Sequence, residues 1–217
     1  MIATKHTRGF TLLELMLVVA VIIILLSLLT PALSKAKAAA QKSNCMGNLR
    51  QNGLSLGMYA SDYNDFYPPL GSGATWNDLW TAVMINQGYC KQSQLNCPVY
   101  KKTCNVFYTY GFIRNIVTYS VSNWASDALP IRKLCLNLRD AGFSKAQESS
   151  VAFLFDSQEW NSSGKMVYII RPSLTAGTWP GYVWMVHNSG SNGLFLDGHV
   201  SYMKTRELAD LGYPILP

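Results

Sequence analysis

Side chains that could bind a metal or transfer protons lie close together near the C-terminus. The stretch HNSGSNGLFLDGH contains His187, Asp197 and His199, and Asp156 precedes it. Imidazole and carboxylate groups serve both as metal ligands and as general acids or bases. The Asp197-Gly198 pair also suits a hairpin turn between hydrophobic strands, with His199 starting the next strand and His187 bonding to the loop. We expect this structural role, with no metal site, no catalytic site and no cofactor.

Five cysteines offer a second kind of chemistry. Cys90, Cys97 and Cys104 are each separated by six residues, which is not the Cys-x2-Cys spacing of zinc sites. With Cys45 and Cys135 they could form at most two disulfides in an oxidising compartment, leaving one thiol over. The sequence therefore predicts a structural disulfide among Cys90, Cys97 and Cys104, with its pairing left open.

One carboxylate lies inside the most apolar segment of the chain. Glu14 is the single charged residue between positions 10 and 29, and those twenty residues would span about 30 Å as a helix, the thickness of a hydrocarbon core. Lys5 and Arg8 precede the segment, so the positive-inside rule leaves the first nine residues in the cytoplasm. The segment is a candidate membrane anchor, and a cleaved secretory signal is the alternative.

Glu14 argues against a disposable signal. A carboxylate near the centre of a membrane helix costs about 2.5–3.5 kcal/mol and usually has a partner. If the chain is cut between Gly9 and Phe10, the new α-amino group of Phe10 lies one helical turn from Glu14. In a staggered assembly of parallel helices, Glu14 of one copy could then pair with the Phe10 amine of another.

These N-terminal residues resemble a known signature. The basic leader, Gly9, the run from Phe10 to Glu14, the apolar stretch and Pro31 resemble the prepilin signature of type IV pilins and type II secretion pseudopilins. The resemblance implies cleavage after Gly9 by a prepilin peptidase, N-methylation of Phe10 and a role for Glu14 in subunit addition. It also implies a bend or local melting at Pro31, although a proline there could simply mark the membrane interface.

Two further stretches resemble the same group of prepilin-type proteins. NLRQNGLSLGMYASDYNDFYPP, which begins at position 48, resembles the segment that follows their anchor. His187 followed by Asp197-Gly198 resembles the His-x9-Asp-Gly motif that closes many of them, and the role of that motif is open.

The spacing of apolar residues predicts that the helix continues beyond the anchor. Apolar positions recur at steps of three and four, at Met46, Leu49, Gly53, Leu56, Ala60 and Tyr63. Gly47, Gly53 and Gly57 each weaken a helix by about 1 kcal/mol, so we expect fraying or very close packing there. The helix should dock on the domain that follows it.

The rest of the chain reads as one globular domain. Residues 76–90 predict a short helix, and the C-terminal third predicts strands, at 150–156, 165–170, 181–186, 193–196 and 199–204. The fold class is therefore α+β, and the resemblance implies a pilin-like arrangement, with a long helix on a small antiparallel sheet. We predict a leader over 1–9, a transmembrane or filament-core helix over 10–30, its amphipathic continuation over 31–65 and a globular domain over 66–217.

Charge and composition limit the function. The net charge is +6 and the basic residues are scattered, so we expect no nucleic-acid binding. We predict a non-enzymatic structural subunit of a secretion pseudopilus or type IV pilus, crossing the inner membrane once with its C-terminal domain in the periplasm. Its partners would be other subunits in a homopolymer, the prepilin peptidase and the membrane. The alternative is a membrane-anchored periplasmic enzyme or carbohydrate-binding protein that uses the prepilin route only for export.

Overall fold

The protein is described from a computed structural model, which covers residues 11–68, 79–100, 110–113, 151–159, 169–170 and 181–210. The chain divides into two compact units, Met1–Ala40 and Gln41–Pro217. The predicted α+β, pilin-like fold class is confirmed, because a long apolar N-terminal helix precedes a small sheet.

The first helix, α1, runs from Leu12 to Asp62 and passes through Pro31 without ending. Its large apolar side chains between Leu12 and Leu33 are 45–77% exposed. Within the described residues, α1 is the helix long and apolar enough to cross a membrane. Pro31 lies inside the helix, so α1 does not end at this proline.

We call residues 12–40 the first part of α1 and residues 41–62, which belong to the second unit, its second part. The second part has a buried face. Leu49, Leu56 and Ala60 of the predicted apolar face lie in the core, together with Cys45 and Tyr59. The buried side of this segment also carries polar side chains, at Asn52 and Ser55. The helical continuation therefore docks on the domain as predicted.

The three glycines of this segment differ in how closely other residues approach them. A Cβ on Gly53 would lie 2.9 Å from Cδ1 of Leu194, which is tighter than normal packing. Among the described residues, no atom lies within 4 Å of the same position on Gly47 or Gly57. Close packing thus accounts for Gly53, and nothing in the structure explains the other two.

The remaining elements are short. In chain order they are α2 (Trp80–Asn86), a 3₁₀ turn (Gln92–Gln94), β1 (Gly111–Ile113), β2 (Ala152–Phe155), β3 (Ser157–Glu159), β4 (Ile169–Ile170), β5 (Gly181–Val183), β6 (Gly190–Phe195), β7 (Val200–Lys204) and α3 (Thr205–Asp210). The predicted helix in 76–90 corresponds to α2. Most of the strand predicted at 165–170 lies outside the described residues.

The strands form a five-stranded sheet in the order β4-β1-β2-β6-β7 and a two-stranded sheet of β3 and β5. Strands β1, β2, β6 and β7 pair antiparallel, as predicted, whereas β4 runs parallel to β1. The sequence prediction missed this parallel pair, because strand direction depends on connections that periodicity does not show.

Two layers of core lie against the sheet. Phe153 and Leu154 of β2 pack in the same cluster as the second part of α1, while Ala152 and Phe155 pack with Leu208 of α3. An irregular register between Ala152 and Leu154 interrupts the alternation of faces. Because each side chain of β2 packs in one of the two layers, all four are buried.

The predicted hairpin at Asp197-Gly198 is present, but its turn is longer than two residues. The Gly198 N–H donates to the Phe195 carbonyl, and the Phe195 N–H donates to the His199 carbonyl. Gly198 has a φ of 86°, whereas Asp197 is not in the positive-φ region that a two-residue type I′ turn requires. The connection is a three-residue loop with Gly198 in the left-handed conformation, so the predicted two-residue turn is wrong.

Candidate functional site

The start of α1 is closed by reciprocal hydrogen bonds between Thr11 and Glu14. The Thr11 N–H and the Thr11 hydroxyl each donate to Glu14 Oε2 over 2.9 Å, and the Glu14 N–H donates to Thr11 Oγ1 over 3.2 Å. This arrangement is a capping box, in which an N-cap threonine and a glutamate three residues later satisfy each other's backbone donors.

The capping box gives Glu14 a partner within its own chain. The sequence interpretation assigned the carboxylate only to the Phe10 amine of another copy, and it overlooked the Thr-x-x-Glu spacing. Gly9 and Phe10, the predicted cleavage and methylation site, lie outside the described residues. A carboxylate at a helix N-terminus is also stabilised by the helix dipole, which fits its place in the first turn.

A second group of chemically active side chains is buried inside the domain. Cys45, Cys97, Asp156 and His187 present one sulfur, oxygen or nitrogen atom each, and these atoms all lie within 4.8 Å of one another. The four residues are only 0–4% exposed. We call this group the Cys-Asp-His cluster.

The side chains of the Cys-Asp-His cluster lie close together. The Cys45 thiol donates to Asp156 Oδ1 over 3.1 Å, and Cys97 Sγ lies 3.3 Å from His187 Nε2. His187 Nε2 lies 3.5 Å from Asp156 Oδ2. Two thiols, one imidazole and one carboxylate are all groups that bind transition metals.

Four different parts of the fold supply these side chains. Cys45 lies on α1, Cys97 follows the 3₁₀ turn, Asp156 lies between β2 and β3, and His187 lies in the turn between β5 and β6. The cluster therefore joins the helix to three connections of the sheet region, all inside the second unit.

Amide side chains of α1 hold the segment that carries Cys97. Asn48 Nδ2 donates to the Asn96 carbonyl and Asn52 Nδ2 donates to the Gln94 carbonyl, each over 2.9 Å. These bonds satisfy main-chain acceptors of the 3₁₀ turn and of the loop after it. They fix Cys97 beside the helix that carries Cys45.

Main-chain hydrogen bonds fix Asp156 and His187. The Asp156 carbonyl accepts from the Trp184 N–H over 2.8 Å, and Asp156 Oδ2 accepts from the Asn192 N–H over 3.2 Å. The His187 N–H donates to the Gly190 carbonyl over 3.0 Å. The Tyr202 hydroxyl donates to the His187 carbonyl over 2.8 Å, which ties the histidine turn to β7.

Burial dominates the electrostatics of the cluster. It raises the pKa of Asp156 from 3.8 to about 6 and lowers the pKa of His187 from 6.5 to about 4, with a smaller contribution to His187 from the positive charge of Lys42. Burial also raises the pKa of the Cys45 thiol far above its usual range. At pH 7 the carboxylate of Asp156 therefore faces a neutral imidazole and a protonated thiol.

The structure does not bring together the residues that the sequence grouped. His187 is in the buried cluster, whereas Asp197 and His199 lie on the exposed β6–β7 turn, where His199 Nδ1 contacts Asp197 Oδ1 and the His199 ring stacks on Phe195. The expected bond between His187 and the loop is made by its backbone, while its side chain points into the cluster.

The structure describes three of the five cysteines, so the predicted disulfide among Cys90, Cys97 and Cys104 is tested only for one of its pairings. Cys45, Cys90 and Cys97 are buried free thiols, so no bond joins Cys90 to Cys97. Cys104 and Cys135 lie outside the described residues, and a disulfide involving Cys104 stays a prediction. The sequence interpretation missed Cys45 and Cys97 as neighbours of His187, because no local spacing connects them.

Comparisons with known proteins agree with the N-terminal signature. The family described as prokaryotic N-terminal methylation motif matches residues 4–30. The chain is 40% identical over 71 residues to type II secretion system core protein G of Escherichia coli (strain K12), an alignment that covers 33% of this chain. It spans about half of that relative, 48% of its length. No solved structure matches the chain.

The anchor-like helix, the methylation motif and this similarity together support a resemblance to pilins and pseudopilins, as the N-terminal residues predicted. Among proteins of that class, the similarity is to a type II secretion pseudopilin.

Proposed function

We propose that the chain is a structural subunit of a filament of the type II secretion pseudopilus or type IV pilus kind. The observation that carries this proposal is the exposure of apolar side chains all around the first part of α1. A helix that is apolar on every side needs lipid or other helices around it. Lipid would surround it before assembly, and the helices of neighbouring copies would surround it in a filament.

The proposed subunit matures by cleavage between Gly9 and Phe10, carried out by a prepilin peptidase that also N-methylates Phe10. The match of the methylation motif to residues 4–30 supports this step. Cleavage there would keep the Thr11 N–H and hydroxyl, so the capping box could persist in the mature protein.

The proposed topology follows from the basic leader. Lys5 and Arg8 would hold residues 1–9 in the cytoplasm, and residues 10–30 would cross the inner membrane once. The continuation over 31–65 and the domain over 66–217 would lie in the periplasm. Other copies of this chain, the peptidase and the membrane are the proposed partners.

Glu14 has two roles in the proposed filament. Within a copy its Oε2 atom accepts the hydrogen bonds of the cap. Between copies its charge would pair with the α-amino group of Phe10 of a neighbour, so that neither charge is buried alone. Pro31, inside α1, is the proposed place where the helix adjusts on entering the filament.

The mass of the intact mature chain tests the proposal. We expect a chain that begins at Phe10 and is heavier by about 14 Da because of one methyl group. A Gly9→Val variant, with a bulkier residue at the cut, should keep Met1. A wild-type chain that still begins at Met1, or that is cut after the apolar span, would contradict the proposal.

The alternative of an exported enzyme or carbohydrate-binding protein drew on His187, Asp197 and His199. In the described residues these side chains are divided between a buried cluster and an exposed turn. A non-enzymatic role is thus the function that we propose.

A further inference from the structure

We propose that Cys45, Cys97, Asp156 and His187 bind one divalent transition-metal ion, of the zinc class, in a closed structural site. This inference goes beyond the filament function, since it concerns how the domain itself is held together. It also departs from the sequence expectation, which was that the chain has no metal site.

The first argument is the choice of donor atoms. Thiolate sulfur and imidazole nitrogen favour zinc over calcium or magnesium, which prefer six or more oxygen ligands. Cys45 and Cys97 would bind as thiolates, and each would release its thiol proton to solvent as the metal binds. Two thiolates, the carboxylate of Asp156 and the neutral imidazole of His187 would together carry a charge of about −3. A divalent cation reduces that charge to about −1.

The second argument is geometry. Zinc bonds of about 2.0–2.3 Å in a tetrahedral site place ligand atoms about 3.3–3.8 Å apart. One ligand atom from each residue lies within 4.8 Å of the other three. Cys97 Sγ lies 3.3 Å from His187 Nε2, while Cys45 Sγ and His187 Nε2 approach different oxygens of Asp156, at 3.1 Å from Oδ1 and 3.5 Å from Oδ2. The ligand atoms would therefore need to move by up to about 1 Å to form the site.

The third argument is support from a surrounding layer of hydrogen bonds, which metal ligands normally have. The Tyr110 hydroxyl donates to Cys45 Sγ over 3.4 Å, and the Asn192 N–H donates to Asp156 Oδ2 over 3.2 Å. The Tyr202 hydroxyl donates to the His187 carbonyl over 2.8 Å, and Lys42 lies over the ring of Tyr202, 3.2 Å from its centre. The residue that holds the His187 turn thus carries a cation on its ring.

Burial indicates that the site is structural. Catalytic zinc sites keep a position open to water or substrate, whereas structural sites are closed by four protein ligands. The four residues are buried and come from α1, the loop after the 3₁₀ turn, the β2–β3 junction and the β5–β6 turn. A bound metal would thus fasten the helix to the sheet region and would give His187 a defined role in its motif.

Metal analysis of the full-length chain, purified in detergent without chelators, tests the site. We expect about one zinc ion per chain in the wild type. Cys97→Ser and His187→Ala should lose the metal. Cys90→Ser and His199→Ala are the matched controls, because Cys90 is a buried free thiol and His199 an exposed imidazole outside the cluster, and both should keep it.

Cobalt substitution in the wild-type chain gives a test that does not depend on how the variants fold. After chelation and reduction, added Co²⁺ should produce the intense visible absorption of tetrahedral cobalt and a thiolate-to-cobalt charge-transfer band. Added Zn²⁺ should abolish both features and raise the thermal unfolding midpoint. Absence of metal from the wild-type chain together with absence of these bands would overturn the proposal.

Two other outcomes would also overturn it. The first is retention of the metal by both Cys97→Ser and His187→Ala. The second is a disulfide between Cys45 and Cys97 in the freshly isolated chain, located by mass spectrometry of its non-reduced peptides, because a disulfide sulfur is not a thiolate ligand. The mass of the N-terminus reports on filament processing separately, so failure of one proposal does not imply failure of the other.

Discussion

The two parts of α1 differ in how their apolar side chains are exposed, although they form one helix. From Leu12 to Leu33 the large apolar side chains are exposed on every side. In the part that belongs to the second unit, one face is buried in the core and contains Cys45, Leu49 and Asn52, and the other face presents Leu54 and Met58 to solvent.

The difference shows where each part finds its stabilisation. The second part is stabilised by its own domain, through apolar packing and through the amide bonds of Asn48 and Asn52 to main-chain carbonyls. The first part makes a hydrophobic surface that its own unit does not cover, so it needs lipid or neighbouring copies. One helix thus has a second part that its own domain stabilises and a first part that lipid or neighbouring copies would stabilise.

The largest expected effect concerns membrane anchoring. Roughly fifteen strongly apolar residues at −0.3 to −0.6 kcal/mol each favour insertion by about 7 kcal/mol, Glu14 removes up to about 3 kcal/mol of this, and each central arginine costs about 2.5–3.5 kcal/mol more. Ile22→Arg alone should therefore bring insertion close to balance, whereas Ile22→Arg with Leu25→Arg should move the chain out of the membrane fraction. The pair Leu54→Arg and Met58→Arg, on the exposed face of the second part, should leave fractionation unchanged. Loss of the control pair from the membrane fraction would contradict the claim that only the first part of α1 anchors the chain.

A cavity in the core should have the next largest effect. Leu49 is fully buried, so Leu49→Ala should lower the free energy of unfolding by about 2–5 kcal/mol. Leu54 lies five residues further along the same helix and is 73% exposed, so Leu54→Ala should change it by less than about 0.5 kcal/mol. Urea unfolding of the full-length chain in detergent measures both. Equal effects would mean that the buried face is assigned wrongly.

Two glycines of the second part give the smallest effects. Gly53→Ala would crowd the end of the Leu194 side chain, which can turn but is fully buried, so the strain should cancel most of the helix propensity that alanine gains. Gly57→Ala meets open space and should stabilise the domain by up to about 1 kcal/mol. Thermal unfolding of the two variants side by side checks this difference, and destabilisation by Gly57→Ala would contradict the exposed placement of that residue.

The local parts of this structure could be predicted from sequence. The apolar positions Leu49, Leu56 and Ala60 follow from helical spacing, and the prediction failed at Tyr63, which lies just past the end of α1, is 41% exposed and stacks on Tyr59. Asn52 is buried although it is polar, and its Nδ2 group donates to the Gln94 carbonyl, while its Oδ1 atom has no hydrogen-bond partner among the described residues. A hydrophobic pattern has no means of showing such a partner.

The Cys-Asp-His cluster could not be predicted in the same way. Cys45 and Asp156 are 111 residues apart in sequence, and Cys97 and His187 are 90 apart. Their contact depends on the docking of α1 and on the pairing of strands, and neither leaves a local spacing. The His-x9-Asp-Gly pattern pointed to His187, but its partners in the fold are not the residues beside it in the motif.

Two substitutions of Glu14 test most directly whether the first part of α1 finds its partner in neighbouring copies. Glutamine can still accept the hydrogen bonds of the capping box but carries no charge, whereas valine removes both. The measurement is the fraction of mature chain recovered in sheared filaments, with cleavage before Phe10 verified by mass for each variant. Our account predicts that Glu14→Gln and Glu14→Val both lose incorporation while remaining cleaved and membrane-bound. Normal incorporation of Glu14→Gln would show that capping alone suffices, and it would contradict the pairing of charges between copies.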